Sequence, residues 1–221
     1  MILYSPLFII KNLQRKALKN HCGYLKGRVL DIGCGTKPYK KYLVASTEYI
    51  GMDESKEIAP DVLGKSDKIP FSDGYFDSVL CTELLEHLPE PQDTLIEIKR
   101  VLRKDGYLYL TVPQEWCLHY EPRDYFRFTK YGIKYLLEKN GFEVIRIDRI
   151  GGTFSLVGQR VIDTSWHLAV RMMKHVCGLK YAEKIASALC VPFSLVFYLL
   201  GIIADNIDKS DAIGWAVLAK K

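Results

Sequence analysis

Two acids and two glycines near the start of the chain have the types and spacing of a nucleoside-binding site. Asp31 lies in an apolar run, residues 29–32, and Gly33 and Gly35 follow directly. Glycines in such a turn allow a ligand to approach the backbone closely. Asp53 lies 20 residues after Gly33 at the end of a second apolar run. Its carboxylate can accept hydrogen bonds from both ribose hydroxyls.

The same turn departs from the pattern that binds dinucleotides. The G-x-G-x-x-G fingerprint requires a glycine at position 38, where the chain has Pro38. This departure argues against a nicotinamide coenzyme. A nicotinamide-dependent Rossmann oxidoreductase and a non-catalytic nucleoside-binding module remain the two alternatives to the function favoured below.

The elements that must position these residues alternate between strand and helix. From residue 28 short apolar runs alternate with helical patterns, which predicts βαβ units and a mostly parallel sheet. Six strands are expected at 28–32, 49–52, 62–63, 76–81, 106–112 and 142–150, and a last strand within 212–219. Helices are expected at 36–45, 91–102 and 129–140, with Thr129 as the N-cap of the third.

Charge and cysteine content limit the partners and the compartment. The chain of 221 residues has a net charge of +5, and six of its cations lie in residues 1–28, which contain no acid. The remainder is close to neutral, so no nucleic-acid partner is expected. The six cysteines are scattered without a C-x-x-C pair, which indicates reduced thiols in a cytoplasmic protein rather than a zinc or disulfide framework.

Two apolar segments lie outside the expected sheet. Residues 7–22 are predicted to form an amphipathic helix with a basic face. Residues 185–204 carry no charge and are long enough to cross a bilayer. Crossing would separate the last strand from its sheet, so we expect a helical insertion instead. It would be a buried hairpin that acts as a lid or homodimer contact, or an element at a membrane surface on the cytoplasmic face.

Four segments, in order, resemble the class I S-adenosylmethionine-dependent methyltransferases, in particular the type 11 group. They are VLDIGCG at 29–35, YIGMD at 49–53, IPFSDGYFDSVLCTELLEHLPEP at 69–91 and RVLRKDGYLYLTVP at 100–113. The resemblance implies S-adenosylmethionine as cofactor and methyl transfer as activity, to oxygen by preference, with nitrogen and carbon open.

The implied fold class is α/β, a Rossmann-like seven-stranded sheet that is mostly parallel with an antiparallel last strand and helices on both faces. A helical insertion would separate strands 6 and 7. The expected domains are a basic N-terminal helix (1–24), a methyltransferase domain (25–151 with 212–221) and the apolar insertion (152–211).

The resemblance also implies which residues contact the cofactor. They are those at its methionine end (Asp31, Gly33, Cys34, Gly35), at the adenosine (Met52, Asp53, Glu54), at the adenine amino group (Ser66, Asp67) and in the closing wall of the pocket (Thr82, Glu83). Asp53 would hold the ribose. Lys65 stands where the family has an acid for the adenine amino group, so Ser66 or Asp67 is expected to substitute.

The segment Glu83–His87 has a second interpretation. In some relatives an E-x-x-E-H segment binds a divalent cation, and here Glu83, Glu86 and His87 offer carboxylate and imidazole ligands with His119 as a fourth. We expect a pocket wall without metal at this place.

Residues 119–129 are expected to meet the methyl acceptor, because they follow the fifth strand and are rich in aromatic and charged side chains. His119 is the predicted general base, since an imidazole with a pKa of about 6.5 suits proton removal. Asp124 and Arg127 complete the predicted catalytic group, and Arg123 with Arg127 could bind a phosphate or carboxylate of the acceptor. The alternative is an ion pair with Asp124 that orders the loop.

The acceptor itself is expected to be a small molecule, a glycan or a lipid-linked saccharide. This expectation rests on the similarity of residues 119–129 to segments of type 11 members from polysaccharide and glycolipid gene clusters.

Overall fold

The computed structural model describes residues 5–221, except for the side chain of Cys177. Residues 1–4 of the predicted N-terminal segment lie outside the described residues. The chain forms two compact units. One contains residues 5–16 and 149–213 of the described chain and is called the helical unit. The other contains residues 17–148 and 214–221 and is called the sheet unit.

The central sheet has seven strands in the order β3-β2-β1-β4-β5-β7-β6. Strands β1 to β5 pair in parallel, and β7 pairs antiparallel with β5. Their bounds are β1 Gly27–Ile32, β2 Ser46–Asp53, β3 Val62–Leu63, β4 Phe76–Thr82, β5 Leu102–Pro113, β6 Glu143–Ile150 and β7 Gly214–Lys220. This order and the antiparallel last strand confirm the predicted Rossmann-like fold class.

Five α-helices accompany the sheet in the described part of the chain: α1 Phe8–His21, α2 Pro91–Val101, α3 Lys130–Lys139, α4 Thr153–Cys177 and α5 Leu179–Ala204. Helix α2 buries residues at intervals of three or four, and they pack with strand residues in one apolar core. Helix α3 begins as predicted, because the Thr129 hydroxyl accepts a hydrogen bond from the Gly132 N–H at 3.0 Å. Helices α4 and α5 form the predicted insertion between β6 and β7.

The predicted helix at residues 36–45 is wrong. The connection from β1 to β2 contains turns and a single 3-10 turn at Lys40–Tyr42. Gly35 and Lys37 have φ angles of 48° and 56°, which a right-handed helix cannot accommodate. The βαβ alternation predicted a helix after the glycine turn, but the left-handed backbone in and after that turn is incompatible with one.

The helical unit is a hairpin of α4 and α5 joined at Gly178. Asp205 closes its base, because its carboxylate accepts hydrogen bonds from the N–H groups of Phe154 and Ser155 at 3.0 and 3.1 Å. The start of α1 belongs to this unit, where Phe8 and Ile9 pack against α4 and α5.

Candidate functional site

The turn after β1 is held tightly against β2. The N–H groups of Gly33 and Cys34 both donate to the carbonyl of Met52, at 2.9 and 3.1 Å. Gly33 has a φ of 66°, which disfavours any residue with a side chain. A Cβ on Gly51 would lie 2.9 Å from the Cys34 sulfur, so glycine in β2 gives the turn space to approach.

Asp53 ends β2 with its carboxylate beside this turn. One oxygen accepts a hydrogen bond from the Gly35 N–H at 3.1 Å, and the other accepts one from the Ser55 N–H at 3.0 Å. Each carboxylate oxygen can accept a further bond. The arrangement therefore fixes the carboxylate and keeps capacity to bind two vicinal hydroxyls.

Asp31 is almost completely buried next to the turn. One oxygen accepts a hydrogen bond from the Tyr49 hydroxyl at 2.5 Å, and the other has no hydrogen-bond partner among the described residues. Burial raises the pKa of Asp31 to about 7, and the nearby charge of Asp53 adds to that effect. A cationic ligand group would favour the ionised form. The unpartnered oxygen keeps the capacity to accept a hydrogen bond, so the predicted contact with the methionine end of the cofactor stays a prediction.

A cavity of about 810 Å³ opens in the sheet unit at the carboxyl ends of β1, β2 and β4. This edge is where ligands bind in open parallel sheets, and the volume is that of a ligand site. The expected cofactor residues in its lining are Gly33, Gly35, Met52, Asp53, Glu54, Ser66, Asp67 and Glu83. Asp31, Cys34 and Thr82 do not line it. Lys65 also lines the cavity. Lining the cavity therefore does not distinguish which of Lys65, Ser66 and Asp67 would contact the adenine.

The cavity is also lined by His87, Tyr120, Arg123 and Tyr125, which the sequence analysis did not place among the cofactor residues. The loop after β5 reaches this place because the N–H groups of Tyr125 and Phe126 donate to the carbonyl of Glu86, at 2.8 and 3.2 Å. The pair Glu86-His87 had drawn attention in the sequence as part of a possible metal-binding segment. Spacing along the chain could not show that the loop after β5 contacts Glu86.

The rim of the cavity carries an ion pair and two strained residues. The Arg123 guanidinium donates to the Glu54 carboxylate and so joins the loop after β5 to the end of β2. Glu83 and Tyr120 line the cavity with φ angles of 49° and 57°. Such angles are uncommon outside glycine and concentrate at functional sites.

His87 lines the cavity, and a backbone contact fixes which of its ring nitrogens carries the hydrogen. Its Nδ1 lies 2.6 Å from the carbonyl oxygen of Arg123. A carbonyl can only accept, so Nδ1 carries the hydrogen and Nε2 of the neutral ring is unprotonated. Burial lowers the pKa of His87, and the neighbouring His119 contributes in the same direction. The ring is therefore neutral at physiological pH.

The three residues predicted to be catalytic form a cluster outside the cavity lining. Arg127 donates to both oxygens of Asp124, at 2.7 and 2.8 Å, and holds the pKa of that carboxyl well below its usual range. The His119 N–H donates to Asp124 at 3.0 Å, and the ring of His119 packs edge-on against His87 at 4.7 Å. These contacts match the alternative of an ion pair that orders the loop, and a catalytic role for the three remains a prediction.

Replacing Asp124 with alanine is expected to destabilise the loop. The change removes the carboxylate that pairs with Arg127. It does so at a buried position, because the Asp124 side chain is only 2% exposed. We expect the free energy of unfolding to fall by about 2–3 kcal/mol in chemical denaturation. Asp73→Ala removes an 80% exposed partner of Arg100 and should cost less than about 0.5 kcal/mol. Equal stability of the Asp124 variant and the wild type would contradict this account of the loop.

Three side chains of the kind that bind divalent cations meet behind the cavity. Donor atoms of Glu86, His87 and His119 all lie within 4.8 Å of one another, and Glu83 is not part of this group. Glu86 is fully buried and neither carboxylate oxygen has a hydrogen-bond partner among residues 5–221. Burial and the charge of Glu83 raise the pKa of Glu86 to about 9. A neutral carboxyl is the form expected in the protein without a cation.

Comparison with known proteins agrees with this geometry. Residues 30–110 match the family model described as a methyltransferase domain. An uncharacterized protein of Methanocaldococcus jannaschii is 34% identical over 112 residues, which is 47% of this chain and 52% of that protein. The ubiquinone biosynthesis O-methyltransferase of Aromatoleum aromaticum is 26% identical over 159 residues, 58% of this chain and 68% of that enzyme.

Among solved structures, a SAM-dependent methyltransferase from Archaeoglobus fulgidus superposes with a TM-score of 0.59. It is 18% identical and covers 96% of this chain and 94% of its own, which shows a common fold. The chain spans only about a third to a half of the length of the first three curated relatives that it matches.

The sheet order, the glycine turn and the acid that ends β2 define a class I methyltransferase fold. Residues 30–110 match the methyltransferase-domain family model, and this part of the chain is therefore similar in sequence and fold to S-adenosylmethionine-dependent methyltransferases.

Proposed function

We propose that this chain transfers the methyl group of S-adenosylmethionine to an oxygen of a small acceptor that enters the cavity beside His87. The observation that carries the proposal is that His87, whose Nδ1 is held by the Arg123 carbonyl, lines the same cavity as Asp53 and the glycine turn. The cavity thus combines groups that suit a nucleoside with a side chain that can act as a base.

The chain's own residues have separate tasks in this reaction. The cofactor, when bound, supplies an electrophilic methyl group. Asp53 binds the ribose hydroxyls, and Asp31 favours the ammonium of the methionine end. His87 takes the proton of the acceptor hydroxyl at Nε2, and Tyr120 and Tyr125 exclude water from the acceptor side. His119, in contact with His87, is the second candidate base.

The acceptor that we favour is a hydroxyl compound carried on a lipid. Two observations support this class. The related Aromatoleum enzyme is named for ubiquinone biosynthesis, and the acceptor side of the cavity presents the rings of Tyr120 and Tyr125. A soluble glycan is the alternative that a substrate screen would distinguish. The five described cysteines are free thiols, which supports a cytoplasmic location.

The test is methyl transfer from labelled S-adenosylmethionine to lipid extracts and to soluble sugars, with His87→Ala beside the wild type. We expect the variant to lose about 100-fold or more in turnover, because it removes the base. Cofactor affinity by calorimetry should change by less than about threefold, since His87 does not contact the ribose acid. With a base of lowered pKa, turnover should rise with pH through that pKa and be level above neutrality.

His119→Ala is the matched comparison, because it removes a second imidazole from the same place. If His87→Ala keeps full turnover and His119→Ala loses it, the general base is His119 and not His87. Absence of cofactor binding by the wild type would reject the proposed function altogether.

A further inference from the structure

Helix α5 exposes apolar side chains around most of its circumference. It has a mean hydropathy of 2.2 over its most apolar 18 residues, yet only 22% of that window is buried. Exposed apolar residues occur as adjacent pairs at 195–196, 199–200 and 202–203. Neighbouring helical residues point about 100° apart, so the exposed arc is broad. A helix that is apolar on all sides is ordinarily surrounded by an apolar medium.

Helix α5 contacts α4 through a narrow seam of small residues. The seam consists of Ala182, Ala186, Cys190, Ser194 and Gly201. A Cβ on Gly158 of α4 would lie 2.6 Å from Phe197, and one on Gly201 would lie 2.2 Å from the Ser155 hydroxyl. The two helices therefore approach each other closely along this seam. Close packing through small residues is typical of helices in a lipid environment.

Helix α4 divides its exposed surface into two stripes. One stripe is apolar and contains Phe154, Val157, Val161, Leu168, Met172 and Val176. The other is polar and contains Arg160, Asp163, His167, Arg171 and Lys174, of which the first two are half-buried. Both follow spacings of three and four, so they lie side by side along the whole helix. An apolar and a polar face of this kind are typical of an amphipathic helix that lies in the plane of a membrane interface.

The charge of the molecule is concentrated in this unit. Residues 5–16 and 149–213 hold ten Lys and Arg side chains and five Asp and Glu, whereas the sheet unit is neutral. Around the α4–α5 turn, residues 171–184 contain four cations and one acid. A second copy of the chain would bring the same positive charge and would cover one side of α5. An anionic lipid surface complements the charge and can surround the exposed arc.

We propose that the helical unit docks on an anionic lipid bilayer with α4 and α5 in the plane of the interface. The exposed side of α5 and the apolar stripe of α4 enter the acyl region, and the polar stripe of α4 stays with the headgroups. A spanning hairpin would bury the charged side chains of α4 in hydrocarbon. A crossing by α5 alone would put β7 on the opposite side from β5, with which it pairs.

Vesicle flotation with the full chain tests this docking. The wild type is expected to float with phosphatidylcholine vesicles that contain phosphatidylglycerol and to bind them at least about tenfold more strongly than vesicles of phosphatidylcholine alone. Phe193→Asp with Leu200→Asp should reduce binding by about tenfold or more, because both exposed side chains leave the acyl region. Val44→Asp with Tyr131→Asp, also exposed but in the sheet unit, should leave binding unchanged.

Charge and depth give two further readouts. Arg171→Glu with Lys174→Glu should lower binding to anionic vesicles about tenfold, whereas Lys104→Glu with Lys139→Glu should not. A tryptophan introduced at Phe193 should be quenched by brominated acyl chains and one at Val44 should not. Each variant is checked for folding by circular dichroism.

Wild-type protein that remains unbound under all conditions would overturn the proposal. So would a stable dimer that the Phe193 and Leu200 changes dissociate, because a second copy would then be the occupant. These results do not depend on methyl transfer, so the docking and the enzymatic proposal can fail separately.

Discussion

Replacing Asp53 with alanine is expected to lower the affinity for S-adenosylmethionine by at least about 100-fold. The change removes two acceptor oxygens for the ribose, and hydrogen bonds to a charged group contribute about 1.5–3 kcal/mol each. It also frees the Gly35 and Ser55 N–H groups that the carboxylate now holds. Calorimetric titration with S-adenosylmethionine and S-adenosylhomocysteine measures the effect, and both ligands should lose affinity equally because they share the ribose.

Two control variants separate this effect from general damage at the cavity. Asp53→Asn keeps one acceptor oxygen, so its affinity should lie between those of the alanine variant and the wild type. Glu57→Ala removes another acid that lines the cavity and should change affinity by less than about threefold. Wild-type affinity in Asp53→Ala would remove this residue from the binding site.

Replacing Glu86 with glutamine is expected to stabilise the protein increasingly as the pH rises. The folded protein keeps the Glu86 proton up to about pH 9, whereas the unfolded chain releases it near 4.5. The wild type therefore loses stability between those values, by up to about 1.4 kcal/mol per pH unit, and the glutamine variant does not. The variant should gain about 2 kcal/mol relative to the wild type between about pH 5.5 and about pH 7.5 in denaturant unfolding.

Glu97→Gln is the control, and its effect on stability should depend on pH in the opposite direction. The Arg100 guanidinium lowers the pKa of Glu97, so its ionised form stabilises the fold above that pKa and the benefit disappears as the pH falls. The Glu97 variant should be less stable than the wild type at neutral pH and approach it in acid. Parallel stability curves for Glu86→Gln and the wild type would show that Glu86 is ionised in the folded protein. If a divalent cation then stabilises the wild type and not the Glu86 variant, cation binding is the reason why Glu86 is ionised.

Sequence reasoning predicted the fold class correctly, because the fold class depends on local patterns. The glycine turn and Asp53 lie at the ends of adjacent strands, and strand pairing alone places them together. It failed where a contact between distant segments decides the structure. His87 becomes a candidate base only because the Arg123 carbonyl, 36 residues later, fixes its tautomer.

The error at residues 36–45 has a different origin. The expected alternation of strands and helices favoured a helix after the glycine turn, but the left-handed backbone at Gly35 and Lys37 is incompatible with one. Local backbone geometry of this kind is not visible in hydrophobic spacing.

The helix-free connection between β1 and β2 also affects which anions the cavity can hold. Dinucleotide enzymes place a pyrophosphate at the start of the first crossover helix, where aligned peptide dipoles supply a partial positive charge. Here that field is missing, and the polar groups nearest the turn include the carboxylates of Asp31 and Asp53. A pyrophosphate at this turn would find no helix N-terminus to stabilise it, whereas the carboxylate of Asp53 favours a cationic group nearby. We therefore expect the cavity to prefer cationic over anionic nucleosides.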